Sequence, residues 1–270
     1  MTNARLERVT GDAAPALARA TRLGFGAKGL LTIIVGVLAL RHALGRGGEL
    51  TGQEGAIRSL SDQPLGRVTI AALGAGLAAY ALWMFLAAFV DPERKGRGFA
   101  GIAERIAFFV TGIAYASLAW VGFRLLLGNP SGPGTGLHDL AASVLTPVTG
   151  RWLVGLVGAT VMIAGILQMR LGITAGFREN LRADLSKLVR AATIVSGRIG
   201  YMALAVLSLL VGSSFVRVAL EYDPSEAGGW DEALGVISTF GQGAWALGAV
   251  AAGLILYGVY FVLLVKAKAL

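Results

Sequence analysis

Lys28 is an ionisable residue inside an otherwise apolar stretch. It follows Arg22 by six positions, which places it about 9 Å along a helix from that arginine. Charged groups are costly within a bilayer, and those that occur there often mark ion pathways or buried pairs. Lys28 therefore either belongs to a polar pathway or buried pair, or extends its long side chain back to the membrane surface. The predicted spans carry no acidic residue in their interior, so a partner would have to be Asp91, Glu104 or a lipid phosphate.

Tyrosines occupy other apolar stretches at some depth. If their hydroxyls converge with the amine, they could line a narrow path for an ion or a small solute. Alternatively, each makes one hydrogen bond between packed helices. The candidate pathway residues are Lys28, Tyr80, Tyr115, Tyr201 and Tyr257, and Gln168 is a further polar residue at depth.

Signatures of catalysis and of cofactor binding are absent from the sequence. The chain has no cysteine, which excludes thiolate metal sites and thiol chemistry. His42 and His138 could in principle ligate a haem or a metal, but no carboxylate spacing supports them. The metalloprotease, phosphate-loop and serine-hydrolase motifs do not occur. We predict no catalytic, cofactor-binding or metal-binding residue, no cofactor, and a protein that is not an enzyme.

Three pairs of arginines bracket apolar stretches, and the two arginines of each pair are 19 residues apart. As a helix, 19 residues are about 28 Å long, which is close to the hydrocarbon thickness of a bilayer. Arginines at both ends can anchor such helices in the headgroup layers. The chain is 55% hydrophobic and 15% charged, as a multi-pass membrane protein would be. Apolar stretches lie near 23–43, 68–90, 103–127, 151–169, 197–219 and 243–265. The interface anchors are Arg22, Arg41, Arg105, Arg124, Arg198 and Arg217.

An internal repeat organises these stretches. Each bracketed helix opens with a related tetrapeptide, RLGF, RIAF or RIGY, and a second apolar helix follows at nearly fixed spacing. The sequence therefore predicts an all-α protein with six transmembrane helices, as three parallel two-helix repeats in a pseudo-threefold arrangement. Short amphipathic helices are expected on the outer side near 56–60, 140–144 and 233–237. Small residues predict contact faces at Ala71, Ala75 and Ala79 and at Ala249 and Gly253.

The positive charges are divided unequally between the two sides. Of 24 Lys and Arg residues, 17 fall on the side that carries the N-terminus, so both termini are predicted to be cytoplasmic. The basic balance is thus a topology signal and does not indicate nucleic-acid binding. We predict a cytoplasmic segment at 1–21, repeats at 22–90, 103–169 and 197–265, cytoplasmic connections at 91–102 and 170–196, and a tail at 266–270.

Within the second connection, residues 177–190 carry an amphipathic pattern. As a helix they would present five apolar residues on one face and four basic residues around the other. We predict a helix that binds the anionic inner leaflet, with a plain connector helix or a protein contact as alternatives. The apolar residues are Phe177, Leu181, Leu185, Leu188 and Val189.

The residues at 22–29 (RLGFGAKG), 63–66 (QPLG) and 76–83 (GLAAYALW), followed by Asp91, resemble the repeat of the domain-of-unknown-function family DUF1206. The resemblance covers residues 20–262 and is dense only in the first copy. The third copy has Leu204 at the position of Lys28, and the second has Thr111. The resemblance implies a bacterial membrane protein, usually with three copies of the repeat, and carries no established activity.

From these features we predict a multi-pass protein of the bacterial cytoplasmic membrane. Its function is expected to be non-enzymatic and to operate through contacts with lipids or other membrane proteins, or through self-association. The alternative is a small channel or transporter for an ion or small solute along the pseudo-threefold axis. A hydrated cavity lined by Lys28 and the tyrosines would favour transport, whereas a dry, tightly packed axis would oppose it.

Overall fold

The computed structural model of the protein describes residues 3–48, 50–61, 63–90, 99–128, 148–221, 229–239 and 243–267. Long helices dominate these ranges. The first repeat comprises α1 (Asn3–Ala43), α2 (Gln53–Ser59) and α3 (Gly66–Val90), and the second contains α4 (Phe99–Leu126) and α5 (Val148–Thr174). A 3₁₀ helix, η1 (Gly176–Asn180), precedes the third repeat, which contains α6 (Lys187–Glu221), α7 (Trp230–Thr239) and α8 (Gly243–Ala267).

Six helices in the described ranges are long and apolar enough to cross a bilayer: α1, α3, α4, α5, α6 and α8. Their apolar residues lie around most of the circumference, as in a membrane span. Large apolar side chains accordingly remain exposed on the outer faces, among them Trp120, Trp152 and Trp245. In a bilayer these faces contact lipid at no hydrophobic cost. The prediction of an all-helical protein with six spans is confirmed.

The spans follow one another around the bundle in the order α4, α3, α1, α8, α6, α5. The first helix of each repeat packs most extensively against the second helix of a neighbouring repeat, giving the pairs α1–α8, α4–α3 and α6–α5. This order is that of a pseudo-threefold ring. Over the described residues, α4 and α5 are not closely packed on each other, so the ring is open between them. These two helices are also the least buried spans.

Close approaches recur at corresponding crossings. A Cβ atom on Gly29 would lie 2.7 Å from the carbonyl oxygen of Gly258, where α1 crosses α8. At the α4–α3 crossing a Cβ atom on Gly112 would lie 2.8 Å from the ring of Phe85. At the α6–α5 crossing, one on Gly165 would lie 3.2 Å from the Ala205 carbonyl oxygen. Glycines therefore allow close approach at all three crossings, to backbone at α1–α8 and α6–α5 and to an aromatic ring at α4–α3.

The short helices α2 and α7 confirm that a short helix lies between the two spans of the first and third repeats. Ala56 and Ile57 of α2, and Leu234 and Ile237 of α7, are buried against the spans. The predicted outer helix at 140–144 lies outside the described residues.

The predicted amphipathic helix at 177–190 is wrong. Residues 176–180 form η1, a turn follows, and α6 begins at Lys187, so 187–196 are part of a span. Phe177 and Leu181 are buried, whereas Leu188 is 81% exposed, and the five apolar residues therefore share no single face. The turn is held in place because the backbone N–H of Arg182 donates to the Ala267 carbonyl, at the end of α8. Similarly, α1 already begins at Asn3, within the predicted N-terminal segment.

Candidate functional site

Lys28 is enclosed where α1 meets α3 and α8. Its side chain is only 8% exposed. The helices approach closely because glycines flank the lysine on α1: Gly24 lies against Tyr80 of α3, and Gly29 lies against Gly258 of α8. The interpretation that Lys28 extends back to the membrane surface is therefore wrong. Its amine points into the bundle.

Four aromatic rings and one hydroxyl surround this amine. Nζ of Lys28 donates a hydrogen bond of 3.0 Å to the Tyr80 hydroxyl. Nζ lies 4.3 Å from the ring centroid of Phe261, 4.8 Å from that of Tyr80, 5.1 Å from that of Tyr115 and 5.6 Å from that of Tyr257. All four distances lie within the range of cation–π attraction, which contributes about 2 kcal/mol per contact when the cation is desolvated. We call these four residues the aromatic cage.

The cage joins all three repeats. Tyr80 belongs to the first repeat, Tyr115 to the second, and Tyr257 and Phe261 to the third. The rings also pack on one another, with centroid distances of 4.7 Å for Tyr80–Tyr115 and 5.0 Å for Tyr257–Phe261. Phe25 of α1 completes this packing against Tyr80 and Phe261. Because each ring is held by its neighbours, the geometry around the amine is fixed before any ligand or partner binds.

At the end of the bundle where η1 lies, the aromatic packing continues. The ring of Tyr201 lies 5.2 Å from that of Tyr257 and 5.6 Å from that of Tyr260. Phe177 of η1 stacks on Tyr201 at 5.4 Å and covers the inner end of the cluster. The connector between the second and third repeats thus covers one end of the aromatic cluster.

At the end of the bundle where α2 lies, that helix reaches the cage. The amide Nε2 of Gln53 donates to the Tyr115 hydroxyl at 3.5 Å. Asp231 of α7 lies next to this helix, since a Cβ atom on Gly52 would be 3.3 Å from its Oδ1. The pKa of Asp231 is raised to about 6, because partial burial and the neighbouring Glu232 carboxylate disfavour its charged form. A carboxyl with a raised pKa thus lies beside the N-terminal end of α2.

The structure brings together four of the five candidate pathway residues, Lys28, Tyr80, Tyr115 and Tyr257, and Tyr201 contacts the last of them. Gln168 lies elsewhere and accepts a hydrogen bond of 2.9 Å from Ser208, between α5 and α6. Asp91 lies outside the described residues, and so does the side chain of Glu104.

The sequence analysis did not predict that Phe261 belongs to the cage. It also did not predict the hydrogen bond from Gln53 to Tyr115. Phe261 follows Tyr257 by four positions on α8, a spacing that places both on one helix face. This spacing is the signal that could have identified Phe261. Gln53 belongs to an outer helix whose docking depends on tertiary packing.

The histidines do not assemble a metal site in the described part of the chain. Nδ1 of His42 lies 2.9 Å from the Gly48 carbonyl oxygen in the loop after α1, whereas His138 lies outside the described residues. No group of three or more His, Asp or Glu side chains that could hold a metal ion occurs among the residues the structure describes.

Two of the predicted interface anchors bind backbone carbonyls. Nε of Arg105 donates to Ala88 at 2.6 Å, and its Nη2 donates to Phe89 at 2.9 Å, at the C-terminal end of α3. Arg198 does the same at the end of α5, with Gly172 and Ile173 as acceptors. A cation at a helix C-terminus satisfies free carbonyls and the helix dipole. Among the remaining anchors, Arg124 is half-buried and three are exposed: Arg22, Arg41 and Arg217.

Two cavities lie on the faces of α3 and α4. The larger, about 650 Å³, is a groove lined by small and aromatic residues that include Ala75, Ala78, Trp120 and Phe123. The smaller, about 340 Å³, lies between the inner ends of the same helices beside Phe89 and Phe109. Both are lined mainly by apolar atoms, and the cage residues line neither of them.

Comparison with known proteins agrees with the three-repeat architecture. The family described as "Domain of Unknown Function (DUF1206)" matches residues 23–91, 106–175 and 199–267, and each match begins directly after Arg22, Arg105 or Arg198. The "Uncharacterized protein YxxB" of Bacillus subtilis (strain 168) is 33% identical over 259 residues, which cover 96% of this chain and 94% of that protein. No solved structure matches this chain. The resemblance seen at 22–29, 63–66 and 76–83 is thus confirmed, and the protein belongs to the DUF1206 family, whose repeat it contains three times.

Proposed function

We propose that this protein is a non-enzymatic component of the bacterial cytoplasmic membrane that acts through contacts with anionic lipids and with other membrane proteins. The excess of Lys and Arg on the side that carries the N-terminus supports a cytoplasmic location of both termini. The observation that carries the proposal is the sealed core. Lys28, the most polar group at depth, is closed in by Tyr80 and Phe261 and has contacts on all sides.

A channel or transporter along the axis has less support. Such a protein needs polar groups that face a hydrated path. In the described part of the chain, the tyrosines pack ring against ring around the amine, and the two cavities open on the faces of α3 and α4. The close ring packing around the amine therefore supports interaction over transport.

The cytoplasmic end of the third repeat supports lipid binding, although it is not the predicted amphipathic helix. Arg178, Arg182 and Lys187 are exposed around the turn between η1 and α6, and Leu188 projects beside them. Each basic residue near an anionic leaflet contributes about 1 kcal/mol of attraction. An exposed leucine among exposed cations matches the chemistry of a lipid headgroup layer.

Lipid binding can be tested by purification in mild detergent and quantification of the bound phospholipids. We expect anionic lipids to be enriched over the bulk membrane, and Arg178→Gln with Lys187→Gln to reduce this enrichment. Arg41→Gln with Arg46→Gln, at the outer end of α1, is the matched control and should leave it unchanged. Equal loss in both double variants, or no enrichment at all, would contradict the proposal.

Transport is tested separately in reconstituted vesicles. We expect proton and small-cation fluxes equal to those of protein-free vesicles. A flux that depends on the protein and is abolished by Lys28→Met would reject the non-transport function, whatever the lipid result.

A further inference from the structure

We propose that the aromatic cage is a binding site for a primary ammonium group, and that the side chain of Lys28 is its resident ligand. The rings would then bind the ammonium group, and the methylene chain of the lysine would only hold that group in position. This assignment concerns the core of the bundle and is independent of lipid binding at its cytoplasmic end.

The geometry of the four rings supports this assignment. Aromatic faces attract a cation such as a lysine ammonium through their quadrupole, and quaternary ammonium ligands in proteins are recognised by such enclosures. The four centroids lie between 4.3 and 5.6 Å from Nζ, and the rings come from three different helices, α3, α4 and α8. One N–H of the amine is used by the Tyr80 hydroxyl. A neutral apolar side chain would need neither the hydroxyl nor rings on several sides.

Comparison of the three repeats shows that the cage is specific to the lysine. Leu204 and Thr111 occupy the positions equivalent to Lys28, six residues after Arg198 and Arg105. Leu204 is buried, and the Thr111 hydroxyl donates to the Ala107 carbonyl of its own helix. The same fold therefore accommodates an apolar or self-satisfied residue at this depth. The bundle does not require an amine there, and the first repeat provides one together with the rings that surround it.

Chemical rescue tests the assignment. Lys28→Ala removes the atoms of n-propylamine and leaves the rings in place. We expect n-propylammonium to raise the thermal midpoint of this variant in detergent saturably, by about 5 °C or more at 100 times its dissociation constant. n-Propanol, of similar size but without charge, should not do so. Replacing Phe261 with Leu in the Lys28→Ala background should weaken n-propylammonium binding about tenfold.

Leu204→Ala is the matched control, because it opens a cavity at the equivalent depth in the third repeat without removing an amine. n-Propylammonium should leave its midpoint unchanged. Equal stabilisation of both variants by n-propylammonium, or rescue of Lys28→Ala by n-propanol alone, would overturn the proposal.

Should Lys28→Ala fail to fold, nuclear magnetic resonance of the unmodified protein decides the question. The methylene protons next to Nζ of Lys28 lie over aromatic rings, so ring currents should move their signal upfield of those of Lys95, Lys187, Lys266 and Lys268. Lys28→Arg assigns the signal by its loss, and Phe261→Leu should move it back towards the others. A Lys28 signal that coincides with those of the other lysines would reject the cage.

Discussion

Gly24 and Tyr80 are in direct backbone contact: a Cβ atom on Gly24 would lie 2.8 Å from the Cα atom of Tyr80. The third repeat contains the same contact, since a Cβ atom on Gly200 would lie 2.5 Å from the Cα atom of Tyr257. In both repeats a glycine in the opening tetrapeptide therefore seats the tyrosine of the closing helix. In the first and third repeats, the glycine of the opening tetrapeptide thus reflects helix packing within the hairpin.

Gly24→Ala should destabilise the bundle, because neither backbone at this crossing has space for a methyl group. Overpacking of this kind costs about 1–3 kcal/mol. Thermal unfolding followed by circular dichroism in detergent measures it. Gly26→Ala is the control, since its Cβ atom would be 3.8 Å from Val265, an ordinary contact. A midpoint for Gly24→Ala equal to that of Gly26→Ala would contradict the packing.

A second pair of variants tests which face of α3 is in contact. Gly76→Ala should destabilise, because the new Cβ atom would lie 2.4 Å from the Cβ atom of Ala27. Ala75→Leu should be tolerated, since Ala75 is exposed beside the groove between α3 and α4. The thermal unfolding midpoints of the two purified variants show whether the face of Gly76 or the face of Ala75 contacts a neighbouring helix. A larger loss from Ala75→Leu would place the contact on the opposite side of the helix.

This second prediction departs from the sequence analysis, which took Ala71, Ala75 and Ala79 as a contact face. Ala71 and Ala75 are exposed, and Ala79 is only half-buried. Both faces of α3 carry small residues, so spacing alone cannot tell which one a neighbouring helix covers. The spans and their threefold repetition were predictable because length and apolar composition determine whether a helix can cross a bilayer.

The environment of Lys28 could be predicted only in part. The depth of the lysine and the set of tyrosines are visible in the sequence, and four of those five residues meet. Whether a lysine turns inward or outward depends on which helices lie beside it, and that is set by glycine contacts between distant segments such as Gly29 and Gly258. For the same reason Arg105 and Arg198 were taken as lipid anchors, although they bind carbonyls of a preceding helix.

Arg105→Ala should reduce stability by about 1 kcal/mol, because the last carbonyls of α3 lose a cationic donor. Arg105→Lys should recover only part of this loss, since one ammonium cannot reproduce the fork that reaches both Ala88 and Phe89. Arg41→Ala, at an exposed position, serves as the control in the same thermal assay. If Arg105→Ala and Arg41→Ala have the same midpoint, the carbonyl contacts contribute nothing measurable.

Topology is tested with green fluorescent protein, which is fluorescent only when it folds in the cytoplasm. A fusion after Leu270 should fluoresce. An insertion between Gly45 and Gly47, whose Cβ positions have no neighbour within 4 Å, should not, because this loop is expected on the outer side. The reverse pattern would invert the protein in the membrane.

Asp231→Asn should stabilise the protein at neutral pH and have no effect in acid. The pKa of this carboxyl is raised to about 6 in the folded protein by partial burial and by Glu232, so the folded state binds a proton more tightly than the unfolded state. The stability of the unmodified protein must then fall as the pH rises from about 4 to 6 and remain lower above it. Asparagine carries no charge and therefore removes the cost of burying the carboxylate. In acid, Asp231 is protonated in both the folded and the unfolded state, so this cost is absent from the unmodified protein as well. Thermal midpoints at pH 4 and pH 7.5 measure the difference.

Asp184→Asn provides the control with the opposite sign. The pKa of Asp184 is lowered because Arg182 donates to its carboxylate, so its charged form is favoured by folding. Replacing it should therefore destabilise the protein at pH 7.5, and this loss should disappear as the pH falls below the normal carboxyl range. Because Asp184 is exposed, the loss will be small. If both variants shift the midpoint in the same direction at pH 7.5, the effect comes from removing a negative charge from the protein as a whole, and Asp231 has no special environment beside α2.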